Sequence, residues 1–166
     1  MEDLARLMGF LAAHGVWNLS DGGALLPFVG WEQADGQRGH DRLVVADSAE
    51  AVARGRELLE TNSRGATMAA LVFDAYITLS DGRADALMIE GRRYGAAPLT
   101  MGLVVPYRPA EAPAGFGVHT PRFNGVSGGD GDAEPDPEQL RRAVFDGVNS
   151  HEQAAQVWAA HVDLSR

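Results

Sequence analysis

The sequence predicts an α+β fold: a mostly antiparallel sheet in the order α-β-β-β-α-β-β-β-β-α-α, with helices packed on one face. Three observations predict it. Residues 69–90, AALVFDAYITLSDGRADALMIE, read as two strands folded back over a tight Ser80-Asp81-Gly82-Arg83 turn. The chain opens on a helical period, with Leu4, Leu7, Met8 and Leu11 at i, i+3, i+4 and i+7. It closes on two segments that each carry a helix-start signature.

In order, Glu2 and Asp3 suit the first turn of the opening helix, and Gly15 supplies its stop. Residues 16–19 read as a short strand, closed by Ser20-Asp21-Gly22-Gly23. Residues 24–31 return as a second strand, which Pro27 marks as an edge or a bulge. A polar loop at 33–40 leads to a third strand at 42–46. Asp47-Ser48 starts a second helix, with Ala49, Val52, Ala53, Leu58 and Leu59 as its apolar positions, and 62–65 ends it. In the hairpin, a two-residue Asp81-Gly82 turn pairs Leu79 with Ala84. That register puts Leu71, Phe73, Ala75, Ile77, Leu79, Ala84, Ala86 and Met88 on one face, the side expected to meet helices. The other face, Val72, Asp74, Tyr76, Thr78, Asp85, Leu87 and Ile89, is mixed, so it is half wet or covered by a partner.

Strands at 99–107 and 116–120 follow, separated by a proline-rich loop at 108–115. Residues 124–135, NGVSGGDGDAEP, read as a flexible acidic glycine-rich linker before C-terminal helices at 137–163. Asp136-Pro137-Glu138-Gln139 is an Asx cap with proline at the first helical position, and Ser150-His151-Glu152-Gln153 repeats the capping-box pattern. The whole chain, 1–166, reads as a single domain. Leu-Ser-Asp-Gly occurs at 19–22 and again at 79–82, and independent choice of a good turn sequence explains it better than an internal repeat.

Composition excludes several function classes. All 14 basic residues are arginine, so Schiff-base, P-loop and kinase-type lysines are impossible. With no cysteine there is no disulfide, thiolate nucleophile or thiolate metal site. The net charge of −9 and the lack of a basic stripe argue against a nucleic-acid partner. No apolar run suits a membrane span and no secretory signal is legible, so the expected setting is the cytoplasm. No cofactor is expected.

Motifs with catalytic or metal-binding form lose on context. Gly125-Val126-Ser127-Gly128-Gly129 matches the nucleophile elbow, but without the strand before it and the helix after it that the elbow needs. Asp130, Asp132, Glu134, Asp136 and Glu138 alternate like a calcium loop, but Pro135 and Arg141 stand where glycine and glutamate are required. His14, His40, His119, His151 and His161 show no helical metal-ligand spacing.

One constellation remains as a candidate binding site: Asp74, Tyr76, Glu90, Arg92, Arg93, Tyr107, Arg108, His119 and Arg122, in or just beyond the strands around the hairpin. A carboxylate at Asp74, inside an apolar strand, needs a partner, and the arginines or His119 could hold an anion. A structural ion-pair network explains the same residues. Two functions from different classes follow. The first is a non-catalytic interaction module, a homodimer or a partner of another protein, with Trp17, Trp31 and Trp158 as candidate exposed aromatics. The alternative is a small-ligand-binding protein or acid–base enzyme, which requires Asp74, Glu90 and His119 to share a cavity.

Overall fold

The computed structural model describes residues 1–79, 82–129 and 136–165. Its fold is α+β, with helices packed on a seven-stranded antiparallel sheet. Helix α1 (Glu2–Leu19) buries the predicted stripe Leu4, Leu7, Met8 and Leu11, and then continues it through Ala12, Val16 and Leu19. Residues 16–19 are therefore the last turn of α1 and not a strand. Gly15 does not stop the helix; it packs against the sheet, where a Cβ would lie 2.8 Å from Leu87 Cδ2. Burying the extended stripe outweighs the β-preference of Val16 and Trp17.

The first Leu-Ser-Asp-Gly accordingly ends a helix, whereas the second has Leu79 closing one strand and Gly82 opening the next. The two tetrads mark no repeated unit.

Strands β1 (Phe28–Glu32) and β2 (Arg38–Arg42) form a hairpin, so the strand expected at 24–31 starts late and the one expected at 42–46 starts early. Strand β1 is no edge: it lies between β2 and β3 (Met68–Leu79). Pro27 sits just outside it, its carbonyl accepting from the Leu43 N–H at 2.8 Å. Helix α2 (Ser48–Thr61) starts as predicted, with the Asp47 carboxylate accepting from the Ala49 and Glu50 amides. Left-handed Asn62 (φ 45°) ends it.

Strand β3 pairs with β4 (Gly82–Arg93) along its whole length, Leu79 opposite Gly82 and Ala75 opposite Ala86. The predicted register is two residues off, because Gly82 opens β4 instead of sitting in the turn; Ser80 and Asp81 lie outside the described residues. A shift of two leaves every side chain on its predicted face. The choice of core face changes, however. The main core forms on the face read as mixed, where Val72, Leu87 and Ile89 are fully buried under α1. The other face is covered only near its base, by Ala51 and Leu59 of α2 over Ala69, Leu71 and Phe73. Both faces of the hairpin are apolar at that end, so alternation alone cannot choose between them.

Strand β5 (Leu99–Arg108) continues the sheet, giving the order β2-β1-β3-β4-β5-β6, with β6 (Gly117–Val118) and β7 (Arg122–Gly128) both pairing with β5. Strand β7 takes up the first part of the segment whose composition reads as linker. Main-chain bonding to an open edge needs no side-chain alternation, and Phe123 and Val126 add contact with the core. Residues 130–135, with most of the acidic alternation, lie outside the described residues.

Helix α3 (Pro137–Asn149) is capped by Asp136 as predicted. The cap of α4 (Glu152–Ala160) is His151, not Ser150; Ser150 closes α3, donating from Oγ to the Gly147 carbonyl at 2.7 Å. Helices α1, α3 and α4 share the main core, and α2 lies on the opposite face of the sheet. No helix among the described residues is long and apolar enough to cross a membrane.

Candidate functional site

The predicted constellation separates into distinct groups. Asp74, Tyr76 and Tyr107 come together on the α1 face, where the Tyr107 hydroxyl donates to Asp74 Oδ1 at 2.9 Å. The Arg83 guanidinium lies 3.5 Å above the Tyr76 ring, which is itself 63% exposed. Glu90 and Arg92 are on the other face. Glu90 takes a bidentate bond from Arg56 of α2, with contacts of 2.6 and 2.9 Å. Arg92 borders a groove of about 460 Å³ with Thr100, Asn124 and Ser127. Arg93 donates to the Ala97 carbonyl at 2.9 Å. Arg108 bonds Gly115 O and the Asp163 carboxylate, and buried His119 places Nδ1 3.0 Å from Asp163 O, so these two anchor the C-terminal tail. The Arg122 side chain is exposed and makes no hydrogen bond or ion pair among the described residues, while its main chain lies in the β5–β7 ladder. Asp74, Glu90 and His119 border three different cavities.

Two of these groups have shifted protonation equilibria. Burial raises the Asp74 carboxyl above its usual range, and the Tyr107 hydrogen bond partly offsets this. Burial also raises the Tyr107 phenol, as does the neighbouring Asp74 charge, so Tyr107 stays a donor. The hydrogen bond ties β5 to β3 across the intervening β4. Tyr107→Phe is expected to lower stability by about 1 kcal/mol, the usual worth of one such bond, measured by urea denaturation. No loss would mean that Asp74 is satisfied by solvent.

The Asp74 pair opens onto a cleft of about 790 Å³ along the outer side of β3. Its origin is local. Strand β1 pairs with β3 only from Phe28 opposite Val72 to Glu32 opposite Met68. One residue earlier stands Pro27, which has no N–H, and its carbonyl is turned to β2. Beyond Val72, β3 runs on to Leu79 with β4 as its one strand partner among the described residues. The Thr67 carbonyl accepts from the Tyr94 amide at 2.9 Å, so odd-numbered residues of β3 bond β4. The even-numbered ones, Asp74, Tyr76 and Thr78, turn their N–H and C=O groups outward. Leu25 and Pro27 wall the cleft on one side, and Ser48 and Val52 of α2 on the other.

Compared with protein-family models, curated proteins and solved structures, the chain matches none.

A second cluster had no signal in the sequence. His14 of α1, His40 of β2 and His151 at the start of α4 converge, with ring centroids 4.8 Å apart for His14–His40 and 5.5 Å for His14–His151. The Ala154 amide donates to His151 Nδ1, which leaves the proton on His151 Nε2 to donate to His14 Nδ1 at 3.3 Å. Burial, followed by the fields of His40, His151 and Arg42, lowers the His14 pKa to about 4. Among the described residues no group of three His, Cys, Asp or Glu is placed to hold a metal ion. Of the three tryptophans, Trp17 alone is exposed, at 38%; Trp158 is buried in the core.

Proposed function

We propose that this protein is a non-catalytic interaction module whose binding surface is the outer edge of β3, and that it takes an extended polypeptide segment as an added strand. The observation that carries this reading is the run of outward groups on Asp74, Tyr76 and Thr78, beside a cleft, that have no strand partner among the described residues. An edge of this kind is a template for strand addition: main-chain bonds supply affinity, and flanking pockets select side chains. Besides Asp74, this edge carries the exposed Tyr76 and ends on Ile77 and Leu79, apolar side chains that an added strand would cover. The net charge of −9 supports a partner other than nucleic acid, and a cytoplasmic setting belongs to the same reading. The acid–base alternative needed Asp74, Glu90 and His119 in one cavity, and they border three.

Edge-blocking tests the reading. Thr78→Pro removes one outward N–H and leaves the β3–β4 ladder intact, because Thr78 does not bond β4. Extended peptides selected from a displayed random library against the wild-type protein are expected to bind T78P at least about tenfold more weakly, the loss of roughly one good hydrogen bond. The outward amides of Tyr76 and Thr78 should become protected from hydrogen exchange on binding. If no selected peptide, and no self-association, depends on Thr78, the edge is not a binding surface.

A further inference from the structure

We infer that the strand added to β3 is β3 of a second copy of this chain, antiparallel and centred on Tyr76. This rests on the reading of the edge as a strand-binding surface and names its occupant. Three outward residues spaced by two, Asp74, Tyr76 and Thr78, define the permitted registers. Centring on Tyr76 sets Tyr76 against the partner's Tyr76, and Asp74 against the partner's Thr78, so that every outward group is used. Centring on Asp74 would oppose two carboxylates and would drive the ladder into Val72, which β1 already occupies. Centring on Ala75 sets Thr78 against Val72, which β1 already occupies, and centring on Ile77 leaves Asp74 without a partner among the described residues.

Charge complementarity favours the same register. Thr78 is paired on its other side with Arg83 of β4, on the same sheet face as Asp74 and Tyr76. In the symmetric ladder the row therefore runs Arg83, Thr78, the partner's Asp74, with only a short threonine between the two charges. Arginine reaches across such a gap, and the two-fold axis repeats the pair. The Tyr76 rings, each already stacked under an Arg83 guanidinium, meet at the centre. An unrelated peptide would have to supply this alternation of carboxylate, aromatic and small polar residue, whereas a second copy carries it by construction.

The native chain has no cysteine, so cross-linking gives a clean readout. In a hydrogen-bonded antiparallel pair the Cα atoms lie about 5.5 Å apart, within disulfide range. Tyr76→Cys is expected to form a covalent dimer under mild oxidation. Thr78→Cys is not, since its counterpart would be four residues away along the ladder. In sedimentation equilibrium the wild-type protein should be a dimer, T78P a monomer with an unchanged circular dichroism spectrum, and Arg83→Glu a dimer weakened at least about tenfold by like charges beside the partner's Asp74. Cross-linking of T78C in preference to Y76C overturns the register. A wild-type monomer whose displayed-peptide binding is still lost in T78P overturns the second copy as occupant and leaves the edge reading standing. A wild-type monomer with no Thr78-dependent peptide overturns both.

Discussion

Gly147→Ala is expected to destabilise the protein by about 2–3 kcal/mol, although alanine in place of glycine inside a helix ordinarily stabilises by about 0.5–1 kcal/mol. The reversal comes from the crossing of α3 on α1. A Cβ on Gly147 would stand 2.0 Å from the Arg6 carbonyl oxygen and 2.8 Å from the Phe10 nitrogen, and a Cβ on Gly9 would stand 2.0 Å from the Val144 carbonyl oxygen. These are backbone atoms, so no rotamer change relieves the overlap. The two helices must separate, which opens the seam where Leu7, Leu140, Ala143 and Val144 are buried. Against a total stability of about 5–15 kcal/mol, the loss is large. Urea denaturation should show a lower midpoint at an unchanged slope. A variant as stable as wild type would mean that α1 and α3 sit further apart than described.

Acidification between about pH 6.5 and 4 is expected to cost about 2 kcal/mol of stability through the histidine cluster. His14 titrates at about 4 in the folded protein, against 6.5 for an ordinary histidine. A depressed histidine favours the folded state only while neutral: its stabilisation is complete above pH 6.5, falls as the unfolded chain takes up the proton, and is gone below pH 4. The shift corresponds to about 3 kcal/mol at full value, reduced here because His14 is only partly buried. His151 shifts in the same direction, chiefly by burial. Its protonation also occupies Nδ1, the atom that accepts from Ala154 and caps α4. The fields of His40 and Arg42 of β2 oppose a positive charge on His14. His14→Phe keeps a ring beside Phe28 and removes the titration, so its stability at pH 5 should lie closer to its value at pH 7 than the wild type's does. The measurement is the urea midpoint at the two pH values. An acid loss of equal size in H14F would place the titrating groups elsewhere.

Local signals read the helices well. Asp47 and Asp136 cap where the sequence puts them, and the spacing of Leu4, Leu7, Met8 and Leu11 names the buried stripe of α1. These features rest on contacts within a few residues. The misreadings fall where local signals compete or stop. Val16 and Trp17 prefer a strand in isolation and finish a helix because Val16 and Leu19 reach the core. Strand β7 has almost no apolar pattern and exists because β5 offers it an edge. Of the candidate site, Asp74, Tyr76 and Tyr107 do come together, which follows from antiparallel pairing of neighbouring strands. Glu90, Arg92, Arg108 and His119 do not join them, since face and strand end separate residues that are close in sequence order. His14, His40 and His151 meet across 137 residues of chain, and no spacing rule reaches that far.

The sequence by itself determined the fold class, the capped helices, the central hairpin with its two faces, and the chemistry that lysine and cysteine would have supplied. Those follow from composition, period and turn preference, which act over one element at a time. Only the tertiary structure decided which hairpin face is core, where β1 stops, and therefore which part of β3 is left open. Strand β1 ends beside Pro27, but the edge at Asp74, Tyr76 and Thr78, without a strand partner among the described residues, is a relation between strands distant in the chain. Which neighbour a strand edge gains is set by pairing between distant segments, and a sequence carries no local mark for that pairing.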